Sequence, residues 1–248
     1  MNTKVFNIKS FEEFKSITDF NNEDEKIILF RGQKEIWPLF PRLIRTVLEK
    51  KRLDEYYDIE RKILKEFREL SLQFDSRITD YNDWDLLALA QHFGLPTRLL
   101  DWTSNSLIAL WFAFESEKNN NSDRIVWGLI VEDDFPVDIE KDSPFHRRFI
   151  KVFKPRNEDA RIIAQQSWLA VWNIQLFGDG GTGLLPEPNI LDAMDELEEF
   201  EYQLAKFIIP NSLRTEILNE LDSMGFNYFS LFPDLSGLCK NLDWREFR

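Results

Sequence analysis

The densest run of chemically capable side chains is Gln91-His92-Phe93-Gly94-Leu95-Pro96-Thr97-Arg98-Leu99-Leu100-Asp101-Trp102-Thr103-Ser104. Donors, acceptors, a carboxylate and a cation alternate there with apolar and turn-forming residues, too densely for a plain core segment or a plain loop. A polar group buried without a partner costs about 1–3 kcal/mol, so the groups at such a junction have to be paired or put to use. A second place is Arg31-Gly32-Gln33, which ends the apolar run Ile27-Ile28-Leu29-Phe30. In open α/β sheets ligands bind beyond the carboxyl ends of strands, where an arginine is a bidentate clamp for phosphate or carboxylate. The same arginine also suits a structural ion pair tying the strand end to a helix, and the spacing leaves both roles open. Gln165 and Gln166 are a third place, polar residues inside an otherwise apolar run, either bulge residues or site residues. His92 suits a catalytic role or that of a hydrogen-bonded structural histidine. Arg31, Arg98 and Asp101 together also suit a buried ion-pair network holding strands in register, which needs good pairing to offset desolvation.

Position depends on the surrounding elements. Ser10 and Glu13 form a capping box that predicts a short helix over 11–18. Residues 27–30 read as a buried strand. The proline-bracketed segment 37–41 cannot be helical inside. Tyr56, Ile63, Leu64, Phe67, Leu70 and Phe74 recur at helical spacing and predict a long amphipathic helix over 53–74. Glu60 lies on or near its apolar face and calls for a partner, above all an arginine. Asp83 is placed to cap a helix that stops near Gly94. A short strand over 98–100 follows, then a helix over 106–114. The apolar runs at 125–131 and 206–209 read as strands, and 161–171 as one strand or two with a bulge. Ser212 is placed to cap a helix closed by Gly225, and 231–238 reads as a tight polar turn. The expectation is a single α/β (α+β) domain, with a central mixed or split sheet of about six short strands flanked by helices.

Bulk properties narrow the chemistry. The net charge of −13 argues against a general binder of nucleic acid or of acidic membranes. Basic residues nevertheless outnumber acidic ones over 141–161, and 187–201 holds acids and no Lys or Arg. Both stretches suit solvated faces; the basic one also suits an anionic ligand or partner. Cys239 is the one cysteine, which excludes an intrachain disulfide and a thiolate zinc site. Only His92 and His146 are available for a Ser-His-Asp triad, and no Gly-x-Ser-x-Gly elbow is present. The glycine-rich run 178–183 carries no lysine and opens no apolar helix, so it is a flexible loop or lid rather than a P-loop. No GxGxxG follows a strand, and no metal site is expected. The chain has no run of roughly 18 apolar residues that a membrane span needs. A cytoplasmic protein is expected.

Four stretches, in order, resemble the FRG domain family. They are Phe30-Arg31-Gly32-Gln33 with Pro41 and Arg42, the run 91–104 with the helix around Ala109 and Ala113, residues 161–166, and 207–210 with 232–237. The resemblance implies one domain over 1–248, with an N-terminal helical extension over 1–25 and a family core over 26–240. The order strand-Arg-Gly, strand-x-Thr-Ser, then a helix with alanine and phenylalanine is also similar to the Arg-Ser-Glu class of ADP-ribosyltransferases. That likeness implies NAD as cofactor. Arg31 then holds its phosphates or ribose, with Gly32, Gln91, His92 and Arg98 around it. Thr103 and Ser104 order the nicotinamide ribose, and Asp101 acts as general base or positioning carboxylate. The class carries a glutamate on a later strand to steady an oxocarbenium-like transition state, and the strand at 206–210 has none. Gln165, Gln166 and Glu201 are its nearest substitutes by position, and Asp101, Glu60 and Asp234 are carboxylates that could fold in. Two functions follow as expectations. One is a NAD-binding ADP-ribosyltransferase-like enzyme acting on a macromolecular target. The other is a non-catalytic module, binding a nucleotide, a small anionic ligand or a protein partner, in a bacterial phage-defence or toxin-like system.

Overall fold

The computed structural model describes residues 3–19, 26–35, 37, 39–51, 55–116, 122–132, 136–145, 151–156, 159–171 and 202–247. The chain opens with β1 (Lys4–Asn7) and α1 (Phe11–Thr18), so the N-terminal segment adds a strand to the expected helix. The Ser10 hydroxyl caps α1 by accepting from the Glu13 amide, while the Glu13 carboxylate turns to the Lys9 amide. β2 (Lys26–Gln33) carries Arg31 and is followed by α2 (Arg42–Glu49) and α3 (Tyr56–Ser71). α3 stops at Ser71, short of the expected end at 74, because Phe74, 84% exposed, has no core to join; residues 53 and 54 lie outside the described residues. α4 (Asp83–His92) is capped by Asn82 rather than Asp83 and ends before Gly94, whose φ of +90° only glycine adopts freely. β3 (Leu99–Thr103) then leads into α5 (Ser106–Phe114), capped by Asn105.

The second half holds β4 (Arg124–Glu132), β5 (Lys151–Phe153), α6 (Ala160–Ala164), β6 (Ser167–Val171), β7 (Tyr202–Ile209), α7 (Arg214–Ser223), α8 (Tyr228–Leu231) and α9 (Leu235–Phe247). Three expectations are corrected here. Residues 161–171 are a helix and a strand, because Asp159 caps α6 through the Arg161 amide and a short apolar run has no period of its own. Ser212 lies inside a 3-10 turn over Asn211–Leu213 that feeds α7. The turn expected over 231–238 is confined to the residues between α8 and α9, where Asp234 accepts from the Gly237 amide.

The seven strands described form one mixed sheet in the order β1-β7-β4-β2-β3-β6-β5. Only β1 and β7 run parallel; the other pairs are antiparallel. β2 pairs with β4 along all eight of its residues, yet meets β3 at one pair, Phe30 with Thr103. β3 in turn pairs with β6 along its whole length. The sheet is therefore continuous on both sides of a split. One face buries Phe30, Val126 and Phe207 against Phe11 and Phe14 of α1, Ala109 and Phe114 of α5, and Ile217 and Leu221 of α7. The opposite face buries Leu29, Leu100, Trp102, Trp127 and Leu129 beneath Leu39 and Phe40. No helix among the described residues is long and apolar enough to cross a membrane.

α5 lies so close to β2 that a Cβ built on Gly32 would stand 2.0 Å from the Ala109 carbonyl oxygen and 2.7 Å from the Ala113 nitrogen. Gly32→Ala is therefore expected to push α5 off β2 and to destabilise the fold by about 1–3 kcal/mol. Urea denaturation of the variant beside wild type measures this.

Candidate functional site

The split leaves backbone groups without the ladder partners a sheet normally supplies. Past the Phe30–Thr103 pair, β2 and β3 part company, and the Asp101 carbonyl faces the gap. The Arg31 guanidinium fills this place, donating from Nη1 to the Asp101 oxygen at 2.6 Å. Its contact with the Asp101 carboxylate is looser, 3.8 Å to Oδ2. Only 19% of the Arg31 side chain is exposed, and its buried Nε has no hydrogen-bond partner among the described residues. Burial pushes the guanidinium below its ordinary pKa, Asp101 works against that, and the like charge of Arg45 adds to it.

Strand alternation places Arg31 on the face of Leu29, the face that also carries Leu100 and Trp102. Extending the Phe30–Thr103 register puts Trp102 opposite Arg31. Trp102 is 3% exposed, and its indole N–H, like the Arg31 Nε, has no partner among the described residues. Two buried donors on facing strands thus lack acceptors among these residues on the same side of the sheet. Ser104 stands just past the end of β3. Its amide donates to the Gln166 carbonyl at 3.2 Å, and its hydroxyl lies 3.3 Å from Gln166 Oε1. Gln166 holds a left-handed φ of +47°, rarely adopted by a residue with a side chain and found preferentially at functional turns.

The rim is polar and cross-linked. Gln91 of α4 donates to Asp101 Oδ1 at 2.7 Å and accepts from the Thr97 hydroxyl. The Asp101 side chain points to the α4 side of β3 and is 71% exposed. α2 is tied to the same turn: the Leu43 amide donates to the Thr97 carbonyl, and Arg42 Nη1 donates to the Gly94 carbonyl.

The structure separates the residues that the sequence groups together. Arg31, Gln91, Asp101 and Ser104 gather at the split. Gly32 faces α5 and serves close packing. Thr103 is buried on the face opposite Arg31, where its hydroxyl accepts from the Asn105 amide and steadies the start of α5. Gln165 donates to the Leu231 carbonyl, so Gln166, its neighbour, is the glutamine that meets Ser104. His92 Nε2 lies 3.1 Å from Asp159 Oδ2 and joins α4 to the start of α6. Arg98 stands away from Asp101 and is 0% exposed; its Nε donates to Glu60 Oε2 at 2.5 Å, its amide to Glu60 Oε1, and Nη2 to the Pro144 carbonyl. The guanidinium also lies over the Tyr57 ring. Burial opposes its charge, but Glu60 together with Tyr57 and Tyr56 outweighs this, and its pKa is raised. The expected arginine partner of Glu60 is thus Arg98. Asp234 binds Arg161 at the start of α6 and is likewise outside the split. The strand at Lys206, from which a glutamate was missing, lies on the far side of β4 and β2; β6 is the strand beside β3. Trp102 joins the site through alternation along β3, a signal that residue type alone does not carry. His146, the glycine-rich run 178–183 and the acidic stretch 187–201 with Glu201 lie outside the described residues.

Residues 26–122 match the family model of the FRG domain. The chain therefore contains an FRG domain, and the match takes in β2, α2 to α4, β3 and α5. No curated protein and no solved structure matches the chain.

Removing one partner of a buried ion pair leaves the other uncompensated, at about 3–5 kcal/mol. Arg98→Leu is expected to destabilise the protein by about that much, and Arg98→Leu with Glu60→Leu by clearly less. Paired urea melts give both values.

Proposed function

We propose that the FRG domain binds NAD at the split between β2 and β3 and acts on it as an ADP-ribosyltransferase-like enzyme. The observation that carries this reading is the pair of buried donors, Arg31 Nε and Trp102 Nε1, that find no acceptor among the described residues and lie on one face of the two parted strands. A buried donor left unpaired costs free energy that a bound acceptor restores, and a phosphate oxygen is a strong acceptor for a guanidinium. Arg31 then holds the phosphates, Ser104 the nicotinamide ribose, and Gln166, in the turn just before β6, stands in for the glutamate that the Arg-Ser-Glu class carries on a later strand. Asp101 is the carboxylate at the edge of the site, within 3.8 Å of Arg31.

A second reading, binding without transfer, is favoured by two facts about charge. Glutamine supplies no negative charge opposite a developing oxocarbenium ion, a contribution usually worth several kcal/mol. The Asp101 carboxylate is engaged by Gln91 on the other side of β3. On this reading the domain is a nucleotide sensor, and a protein partner receives the signal.

Calorimetric titration of NAD, with release of labelled nicotinamide as the second readout, separates the readings. Arg31→Lys keeps the charge and loses the fork, so NAD affinity is expected to fall about tenfold or more, with the melting temperature as the control for folding. Nicotinamide release by wild type supports the enzyme; binding without release supports the sensor. Gln166→Glu restores a carboxylate and is expected to raise nicotinamide release by about a hundredfold. No binding of NAD at millimolar concentration overturns both readings.

A further inference from the structure

Among the described residues, Lys51 and Gln166 alone combine a side chain with a positive φ. Such a conformation costs free energy and persists only where the surroundings impose it. At Gln166 the surroundings are α6, a helix of five residues, too short to be stable alone. Contacts hold it along its whole length. At its start Asp159 Oδ1 accepts from the Arg161 amide at 2.7 Å, and Oδ2 meets His92 Nε2 at 3.1 Å. The Arg161 guanidinium donates from Nε to Asp234 Oδ2 at 3.0 Å and lies over the Phe232 ring. At the far end Gln165 Nε2 donates to the Leu231 carbonyl at 3.0 Å, and the Gln166 amide to the Ile163 carbonyl at 3.1 Å. Leu231 ends α8, and Phe232 and Asp234 lie in the turn into α9. That turn is tight: Asp234 Oδ1 takes the Gly237 amide at 2.8 Å, and a Cβ on Gly237 would stand 1.9 Å from the Phe232 carbonyl oxygen. The last link leads to the split. The Gln166 carbonyl accepts from the Ser104 amide at 3.2 Å, and its Oε1 from the Ser104 hydroxyl at 3.3 Å. Contacts therefore run unbroken from the start of α9 to Ser104.

We propose that Arg161 and Gln165 are positioning residues for the split: anchored on the end of α8 and the turn into α9, they hold Gln166 in its left-handed conformation and, through it, hold Ser104. Neither touches a ligand; both act through Gln166. With these anchors gone, Gln166 relaxes to a negative φ and Ser104 loses the partner of its amide and of its hydroxyl. The bearing on function rests on the reading of Ser104 and Gln166 as part of the NAD site, whereas the coupling is a property of the chain alone.

Amide hydrogen exchange of the whole chain without ligand, followed by NMR, tests this. In Arg161→Leu and in Gln165→Leu, exchange at Ser104 is expected to quicken about tenfold, while the other amides of the β3–β6 ladder keep their wild-type rates. Asp234→Asn, which keeps an acceptor for the Gly237 amide and loses the ion pair, is the milder counterpart and is expected to act in the same direction. Glycine takes a left-handed φ without steric cost, so adding Gln166→Gly to Arg161→Leu is expected to restore part of the protection at Ser104. Unchanged exchange at Ser104, equal quickening along the whole ladder, or no restoration by Gln166→Gly overturns the proposal. Where wild type releases nicotinamide from NAD, Arg161→Leu is expected to slow release about tenfold, and to have no further effect once Gln166 is replaced by alanine; an undiminished effect in that background overturns action through Gln166. Absence of NAD binding by wild type overturns the reading of the split and not the coupling, which exchange at Ser104 decides.

Discussion

The structure turns on a local shortage of backbone hydrogen bonds. β2 is fully paired with β4 on one side and touches β3 at one residue pair on the other. A sheet interrupted at its centre exposes carbonyl and amide groups that a closed ladder would satisfy, and these have to find other partners. Arg31 supplies one through its bond to the Asp101 carbonyl. The interruption is thus both a structural deficit and a source of aimed polar groups, and the chain uses an arginine, which has more donors than the deficit needs.

Such an opening stays open only if the strands on either side are held independently. β2 is held by β4 and by α5, which the lack of a side chain at Gly32 admits to close contact. β3 is held by β6 and, at its start, by the buried Arg98–Glu60 pair, which ties the first residues of the strand to α3. A buried pair of this quality is weak evidence for net stability, but its geometry is restrictive: Glu60 takes both the amide and the guanidinium of one residue and so sets where β3 begins.

Much of this frame is legible in the residues. Helical periodicity and polar caps give α1, α4 and α5, and the apolar runs give β2, β4 and β7, because in these places local preference and burial agree. Glu60 among apolar residues announces a buried cation. What residue type does not reveal is the side of the sheet a residue takes. Thr103 ends β3 buried at the start of α5, while Ser104, one position on and already past the strand, meets Gln166; the same one-residue difference separates Gln165 from Gln166. The run 161–171 carries no decisive period, so only the Asp159 cap distinguishes its helical part. The contact of His92 with Asp159 joins residues far apart in the chain and has no local signature.

The order of the strands has a bearing on how the protein can be dissected. Residues 26–122 contain β2 and β3 but neither β4 nor β6, the strands that flank them. A fragment cut to those limits would bare the full eight-residue margin of β2 on one side and the whole of β3 on the other, both rich in apolar residues. Uncovered margins of that length invite pairing between molecules, so the recognisable stretch of sequence is shorter than the length of chain that covers its own strand edges.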